Sequence, residues 1–340
     1  MVGGRRRGPY YRPFMGSCLG DPEFDHICNA PLDYDTVLLH VVPEYIPFWK
    51  EREPDKRLIG YTVWETDRLP GHWPPLLNLV DQVLVACRWN KSVFQQCGVS
   101  VPIDVIPHLT SKPLDESTKD QYPITPEDYV FYTIGTWTAR KAIWNTVYCY
   151  LKTFSASDRV VLIIKTSRRD FTRGRFSRIF MDTKSAVREI TEAYPNPARI
   201  LLINREISRR EIQSLHRRGD CYISLCRSEG WGLGAFDAAA RGKPVIITGF
   251  GGQLDYLPPE YSYLVNYRLV PVEDARARTS YTNDQHWAEP DLENASSLMH
   301  KVFEDRAGAK EKGQRLASYI HAAFDNEKTI ERLISILNAG

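Results

Sequence analysis

The residues of this chain best suited to chemistry lie between Cys221 and Gly252: Ser228, Glu229, Gly230, Trp231, Gly232, Leu233, Gly234 and Asp237, then Gly242-Lys243-Pro244 and the pair Gly251 and Gly252. The apolar run Cys221–Cys226 reads as a strand, the glycines as a tight turn and Leu233–Arg241 as a helix. Glycine lets a backbone approach a ligand closely. The free N–H groups and positive dipole end of a helix start favour an anion, and a diphosphate suits such a place. Glu229 on the turn and Asp237 inside the helix are expected to open on one crevice, where carboxylates accept hydrogen bonds from sugar hydroxyls. A plainer account, with Glu229 capping the turn and Asp237 favouring the helix dipole, explains each acid alone but not their coincidence with the glycines.

A second block, Tyr132–Lys141, reads as a strand and a short loop holding Gly135 and Thr136 and ending in Arg140 and Lys141. Two cations there would offset charge developing on a departing diphosphate. Lys165 ends the apolar run Arg159–Lys165 and is expected to face the same crevice. In the first third, Trp64-Glu65-Thr66-Asp67 follows another strand and is expected to face the cleft, with Glu65 and Asp67 either loop-and-cap residues or contacts for ligand hydroxyls. His40, at the end of the run Thr36–Val42, is an acceptor-side candidate or a strand-end packing residue, and His108 is a packing or loop residue. No Asp-x-Asp metal motif and no His/Cys ligand cluster at metal spacing are read, so neither a metal nor a separate cofactor is expected.

The elements that must position these groups alternate along the chain. Thr36–Val42, Leu58–Trp64, Gln82–Cys87 and Ile103–Ile106 read as strands, as do Tyr129–Gly135, Arg159–Lys165, Ala198–Asn204, Cys221–Cys226 and Pro244–Thr248. Helices are expected over Pro70–Val80, Asn90–Cys97, Ala142–Thr153, Thr183–Ala193, Ser208–Arg217, Leu233–Arg241 and Ala295–Leu337, with no regular structure over Val270–Asn283. The breaker-rich stretch His108–Asp128 reads as a linker. The fold class is therefore α/β with two doubly wound domains, in keeping with 340 residues. A near balance of 44 Lys+Arg and 42 Asp+Glu gives no case for nucleic acid as a partner. Seven cysteines at irregular spacing suggest reduced thiols and a cytoplasmic chain. No apolar stretch is long enough to span a membrane and no signal peptide is read at the start. The basic start Met1–Arg12 reads as a mobile tail or as a weak foothold on acidic lipid.

The stretch Ser228–Gly252 resembles the donor-site signature of the retaining family 4 glycosyltransferases, whose fold is GT-B, with two Rossmann-like domains facing a central cleft. The resemblance implies that Glu229 contacts the donor sugar and that the backbone of Gly232 and Leu233 meets the phosphates. It places Ser228, Gly230, Trp231, Gly251 and Gly252 beside the donor. Asp237 stands where the family has Glu, and would hold the ribose hydroxyls with a shorter reach. Tyr132–Lys141 is similar to the family's Gly-Arg-x-x-x-x-Lys block: Gly135 and Lys141 match, Thr136 replaces the Arg, and Arg140 supplies the charge as in the branch with Trp-x-x-Arg-Lys. Trp-Glu-Thr-Asp resembles the acceptor-side loop of one branch.

The resemblance covers Asp33–Asn338 and lacks the family's opening strand and glycine-rich loop before Val37, so the first domain is expected over 1–122 with an abbreviated start. The nucleotide-sugar domain is expected over 123–315, and a helix over 316–340 crosses back to the first domain. The implied activity moves a hexose from a donor such as UDP- or GDP-hexose to a glycan, lipid or other hydroxyl acceptor with retention, as in polysaccharide biosynthesis. A nucleotide-sugar epimerase or hydrolase on the same fold, needing an acid–base pair in the first domain, stays open as an alternative, as does an inactive sugar-nucleotide-binding protein. Base, sugar, linkage and oligomeric state are not legible.

Overall fold

The structure, a computed structural model, describes residues 20–111, 122–172, 182–274 and 279–339, with the backbone of residues 5–7 and 10–12. The side chains of the basic start and Cys18 lie outside the described residues. The backbone there forms a short antiparallel pair, β1 (Arg5–Arg7) and β2 (Tyr10–Arg12).

The first lobe is a parallel sheet of β3 (Thr36–His40), β4 (Arg57–Tyr61), β5 (Gln82–Val85) and β6 (Ile103–Val105), in that spatial order. Its crossovers carry α1 (Ile46–Arg52), α2 (Trp73–Leu77) and α3 (Arg88–Gln96). α2 is shorter than the expected Pro70–Val80. It stops at Asn78, whose side chain is drawn off to the carbonyl of Gly98 and the amide of Ser100.

The second lobe is a six-stranded parallel sheet of β7 (Tyr129–Ile134), β8 (Val160–Lys165), β9 (Arg199–Ile203), β10 (Cys221–Ser224), β11 (Val245–Thr248) and β12 (Tyr263–Val265), in the order β12-β11-β10-β7-β8-β9. Strands with apolar residues on both faces can form such a layer only if helices cover both sides. Accordingly Tyr129 and Phe131 of β7 enter one core and Val130 and Tyr132 the other. The covering helices include α4 (Ile143–Thr153), α5 (Thr183–Glu192), α6 (Arg209–Arg218) and α7 (Leu233–Ala240). Numbered from β7, the strand order is 3-2-1-4-5-6, so the direction of winding reverses between β7 and β10.

Two regions differ from expectation. The start of Val270–Asn283 is not irregular: Val270 and Pro271 end β13 (Tyr267–Pro271), which pairs antiparallel with β14 (His286–Pro290). β13 is mostly exposed and so lacks an apolar signature. The single helix expected over Ala295–Leu337 is three: α8 (Leu292–Glu304), α9 (Arg306–Ala323) and α10 (Asn326–Asn338). The breaks are caps inside a continuous apolar pattern, with Asp305 accepting from the Gly308 amide and Asp325 from the Lys328 amide, both at 2.9 Å. α9 stays on the second lobe, with Leu316 and Ile320 in its core. α10 lies on the first lobe: Leu333, Ile336 and Leu337 pack on Ile59, Tyr61, Leu84 and Ile106, and Arg57 donates to the Ile336 carbonyl at 3.0 Å. Among the described residues, no helix is long and apolar enough to cross a membrane.

Candidate functional site: the loops beyond β7 and β10

Where winding reverses in an open α/β sheet, the loops leaving the two central strands diverge and leave a crevice at their carboxyl ends. Here those loops are Gly135–Lys141 after β7 and Leu225–Gly232 after β10, tied by an Arg227 amide to Arg140 carbonyl bond of 2.8 Å. Gly232 caps α7 with φ of 86° and ψ of 62°, a left-handed conformation that glycine accepts freely. Gly230 is needed for a different reason than backbone freedom: a Cβ there would stand 2.9 Å from the Trp64 carbonyl oxygen, so the turn abuts the first lobe. Gly251 has φ of 111°, and Gly252 passes against Gly230. Leu233 opens α7 and is exposed, whereas the Trp231 ring lies in the core against Tyr256 and Phe236 at centroid distances of 4.8 and 5.0 Å. Trp231 therefore faces the turn through its backbone. Ser228 is fully buried, its carbonyl accepting from Arg140 at 2.8 Å.

The turn's electrostatics centre on Glu229, only 7% exposed. One carboxylate oxygen lies 3.2 Å from Arg140 Nη1, and the other is bound by Lys141 Nζ. Burial by itself would raise the carboxyl's pKa, but Lys141 and then Arg140 outweigh it and hold the value below the ordinary one. Burial likewise works against the Arg140 charge, and Glu65 and Glu229 overcome it, leaving the guanidinium more firmly protonated than usual. The Glu65 Oε1 to Arg140 Nη2 contact is 3.2 Å and joins the lobes. Immediately after these cations Ala142, buried, adopts φ of 40° and ψ of 45°, a conformation that costs a non-glycine residue about 1–2 kcal/mol.

Asp237 belongs to a separate network. Its carboxylate accepts from the Ser111 amide at 3.3 Å and hydroxyl at 3.0 Å and faces Arg241 at 3.5 Å, sharing no partner with Glu229. Lys165 ends β8, next to β7. Its Nζ donates to the Thr166 carbonyl at 3.1 Å, and burial pulls its pKa down. The Gly135 amide donates to the Lys165 carbonyl at 3.0 Å, and Thr136 is exposed. His40 ends β3 with its ring edge-on to Tyr61 at 4.7 Å. His108 lies between Tyr61 and Trp231, and burial, aided by His40, pushes its pKa down to about 4. Glu65 and Asp67 are held by the β13–β14 side of the second lobe. Asp67 accepts from the His286 amide at 2.6 Å and faces its ring at 3.1 Å. Ser111, Tyr281, Gln285 and His286 carried no sequence signal, since their partners lie far away along the chain.

The Asp-x-Asp spacing of Asp33 and Asp35 escaped the sequence reading. Asp35 precedes β3, at the strand end opposite the site, and accepts from the Thr36 hydroxyl at 3.0 Å. Among the described residues, no group of three or more His, Cys, Asp or Glu is placed to hold a metal. A cavity of about 370 Å³ lies at the opposite end of the second sheet, lined in part by Asp220, Lys243, Arg306 and Lys310, and contains none of the candidate residues around Glu229.

Residues 182–333 match the model of a family described as family 4 glycosyltransferases in conflict systems. No curated protein sequence matches the chain. Among solved structures, sucrose-phosphate synthase from Thermosynechococcus elongatus superposes with a TM-score of 0.67 at 14% identity, over 89% of this chain and 73% of that one. HepE from Anabaena, solved with UDP and glucose, gives 0.62 at 12% identity over 90% and 78%. TarM from S. aureus, solved with UDP among its ligands, gives 0.60 at 12% identity over 87% of this chain, which spans 54% of TarM. The fold is thus GT-B, two Rossmann-like lobes, as the sequence motifs imply. The chain shares the GT-B fold of these structures, and its residues 182–333 are similar to family 4 glycosyltransferases.

Proposed function

We propose that the chain transfers a hexose from a nucleoside-diphosphate sugar to a hydroxyl of a glycan or lipid-linked acceptor, with retention at the anomeric carbon. The observation that carries this reading is the convergence of Arg140, Lys141 and Glu229 between the loops of β7 and β10, beside the start of α7. A diphosphate entering there would compete with Glu229 for both cations and gain the free amides of α7. Glu229, released from one partner, would accept a hydroxyl of the sugar. In the reaction the bond from the anomeric carbon to the phosphate oxygen breaks and the bond to the acceptor oxygen forms on the same face. The acceptor proton goes to the departing phosphate oxygen. Arg140 and Lys141 stabilise the charge that grows on that leaving group. Asp237, on the first turns of α7, is the group proposed for the ribose hydroxyls, which would take over its contact with Ser111.

The UDP in the HepE and TarM structures makes UDP-sugars the first donors to try, with GDP-sugars next. No further cofactor enters the proposal. The epimerase or hydrolase alternative draws no support from Glu65 and Asp67, since Arg140, Tyr281 and His286 already engage them. The test is incubation with labelled UDP- and GDP-hexoses, with and without a panel of glycan and lipid acceptors, and NMR of the product's anomeric configuration. Acceptor-dependent turnover with retention is expected. Equal turnover without acceptor, or an inverted product, would refute the proposal.

A further inference from the structure

We propose that Tyr281 is a positioning residue, which by donating to Glu65 fixes the carboxylate that orients the Arg140 guanidinium toward the donor turn. This rests on the reading of Arg140 as a partner of the donor diphosphate. The tyrosine lies just before β14 of the second lobe and packs against the core of the first. Its ring stacks on Trp64 with centroids 5.0 Å apart and planes inclined by 24°. Trp64 is itself fixed: its indole N–H donates to the Thr66 hydroxyl and the Arg68 carbonyl, both at 2.7 Å, and its ring meets Trp73 edge-on at 4.6 Å. From that rigid platform the Tyr281 hydroxyl donates to Glu65 Oε2 at 2.8 Å. The other oxygen of Glu65 then faces Arg140 Nη2 at 3.2 Å, while Nη1 of the same guanidinium reaches the Ser228 carbonyl and Glu229.

A long arginine side chain gains a single orientation only when its partners are themselves immobile. Glu65 sits on a loop and has a carboxylate free to turn about its last bond. Tyr281 removes that freedom by taking one oxygen. Burial pushes the phenol's pKa well up, so it stays a donor throughout the working pH range. Because the platform and Glu65 belong to the first lobe and Tyr281 and Arg140 to the second, the alignment exists only when the lobes are together. Removing the hydroxyl alone leaves the ring stack, the Thr66–Gln285 bond and the Asp67–His286 contacts in place. A purely architectural role would therefore be little affected by Tyr281→Phe.

The experiment compares wild type and Tyr281→Phe in two readouts. In the ligand-free protein, nitrogen NMR of arginine side chains, assigned with Arg140→Lys, follows hydrogen exchange of the Arg140 guanidinium. With donor and acceptor, kcat and the donor KM are measured. The expected result is exchange faster by about tenfold and kcat lower by about tenfold, with the donor KM within about twofold and the melting temperature unchanged. Unchanged exchange overturns the proposal, and so does faster exchange with unchanged kcat. If the wild type turns over no donor, the transferase reading fails, and the exchange measurement alone then decides whether Tyr281 orients Arg140.

Discussion

Glu229 keeps its charge in a place where burial opposes it, and Arg140 and Lys141 are the reason. Removing the carboxylate would leave two half-enclosed cations facing one another. Glu229→Ala is accordingly expected to destabilise the fold by roughly 3 kcal/mol in urea titration, and Glu229→Gln to lower transfer by on the order of a hundredfold. The linkage has a definite sign. The folded carboxyl lies below its ordinary 4.5, so the stabilisation is full above that value and disappears as acid takes the pH down through the lowered folded value. Denaturation midpoints from pH 6 down to pH 3 should fall less steeply in Glu229→Gln than in wild type. At this scale the acids and cations were legible because their types and local spacing suit a diphosphate. Their partnerships were not: nothing in the spacing of Glu65, Ser111 and Tyr281 tells which group each will meet from the other end of the chain.

The turns show how tightly the elements approach. A Cβ at Gly252 would come within 2.0 Å of the Gly230 carbonyl oxygen and 2.7 Å of Cys87 Sγ, whereas one at Gly230 would meet the Trp64 carbonyl oxygen at 2.9 Å. Gly252→Ala is expected to destabilise by about 3 kcal/mol or more, and Gly230→Ala by about 1–2 kcal/mol with a weakened lobe contact, both read by chemical denaturation. Reversal of that ranking would mean that the turn relaxes freely. The glycines were read in the sequence as room for a ligand, and for Gly230 the structure shows room for the protein's own first lobe. The apolar runs of β7, β8, β10 and β11 were legible because both of their faces are buried. The hairpin of β13 and β14 was hidden because β13 has almost no buried residues. The two breaks between α8 and α10 were hidden because their Asp caps interrupt no apolar period.

For the molecule as a whole, stability should fall in mild acid before the carboxylates titrate. Burial pushes His108 down to about 4 and His216 down to about 3, both below the ordinary 6.5. A histidine whose folded value is depressed stays neutral while the unfolded chain takes up the proton. Its stabilisation is therefore complete above 6.5 and erodes as the pH drops toward the folded value. Wild-type melting temperature is expected to decline from pH 6.5 to pH 4, and His216→Gln should flatten that decline. The two-lobe plan was legible from alternating strands and helices, but the strand order, and with it the point where winding reverses, is a property of the assembled sheet. In the proposed reaction this point binds a diphosphate through Lys141 and Arg140. Calorimetric titration of UDP and GDP against their monophosphates, on wild type and Lys141→Met, tests it most directly. At least one diphosphate should bind wild type about tenfold or more tighter than its monophosphate, with most of that difference gone in the variant. Equal affinity for mono- and diphosphates, or a preference untouched by the substitution, would contradict it.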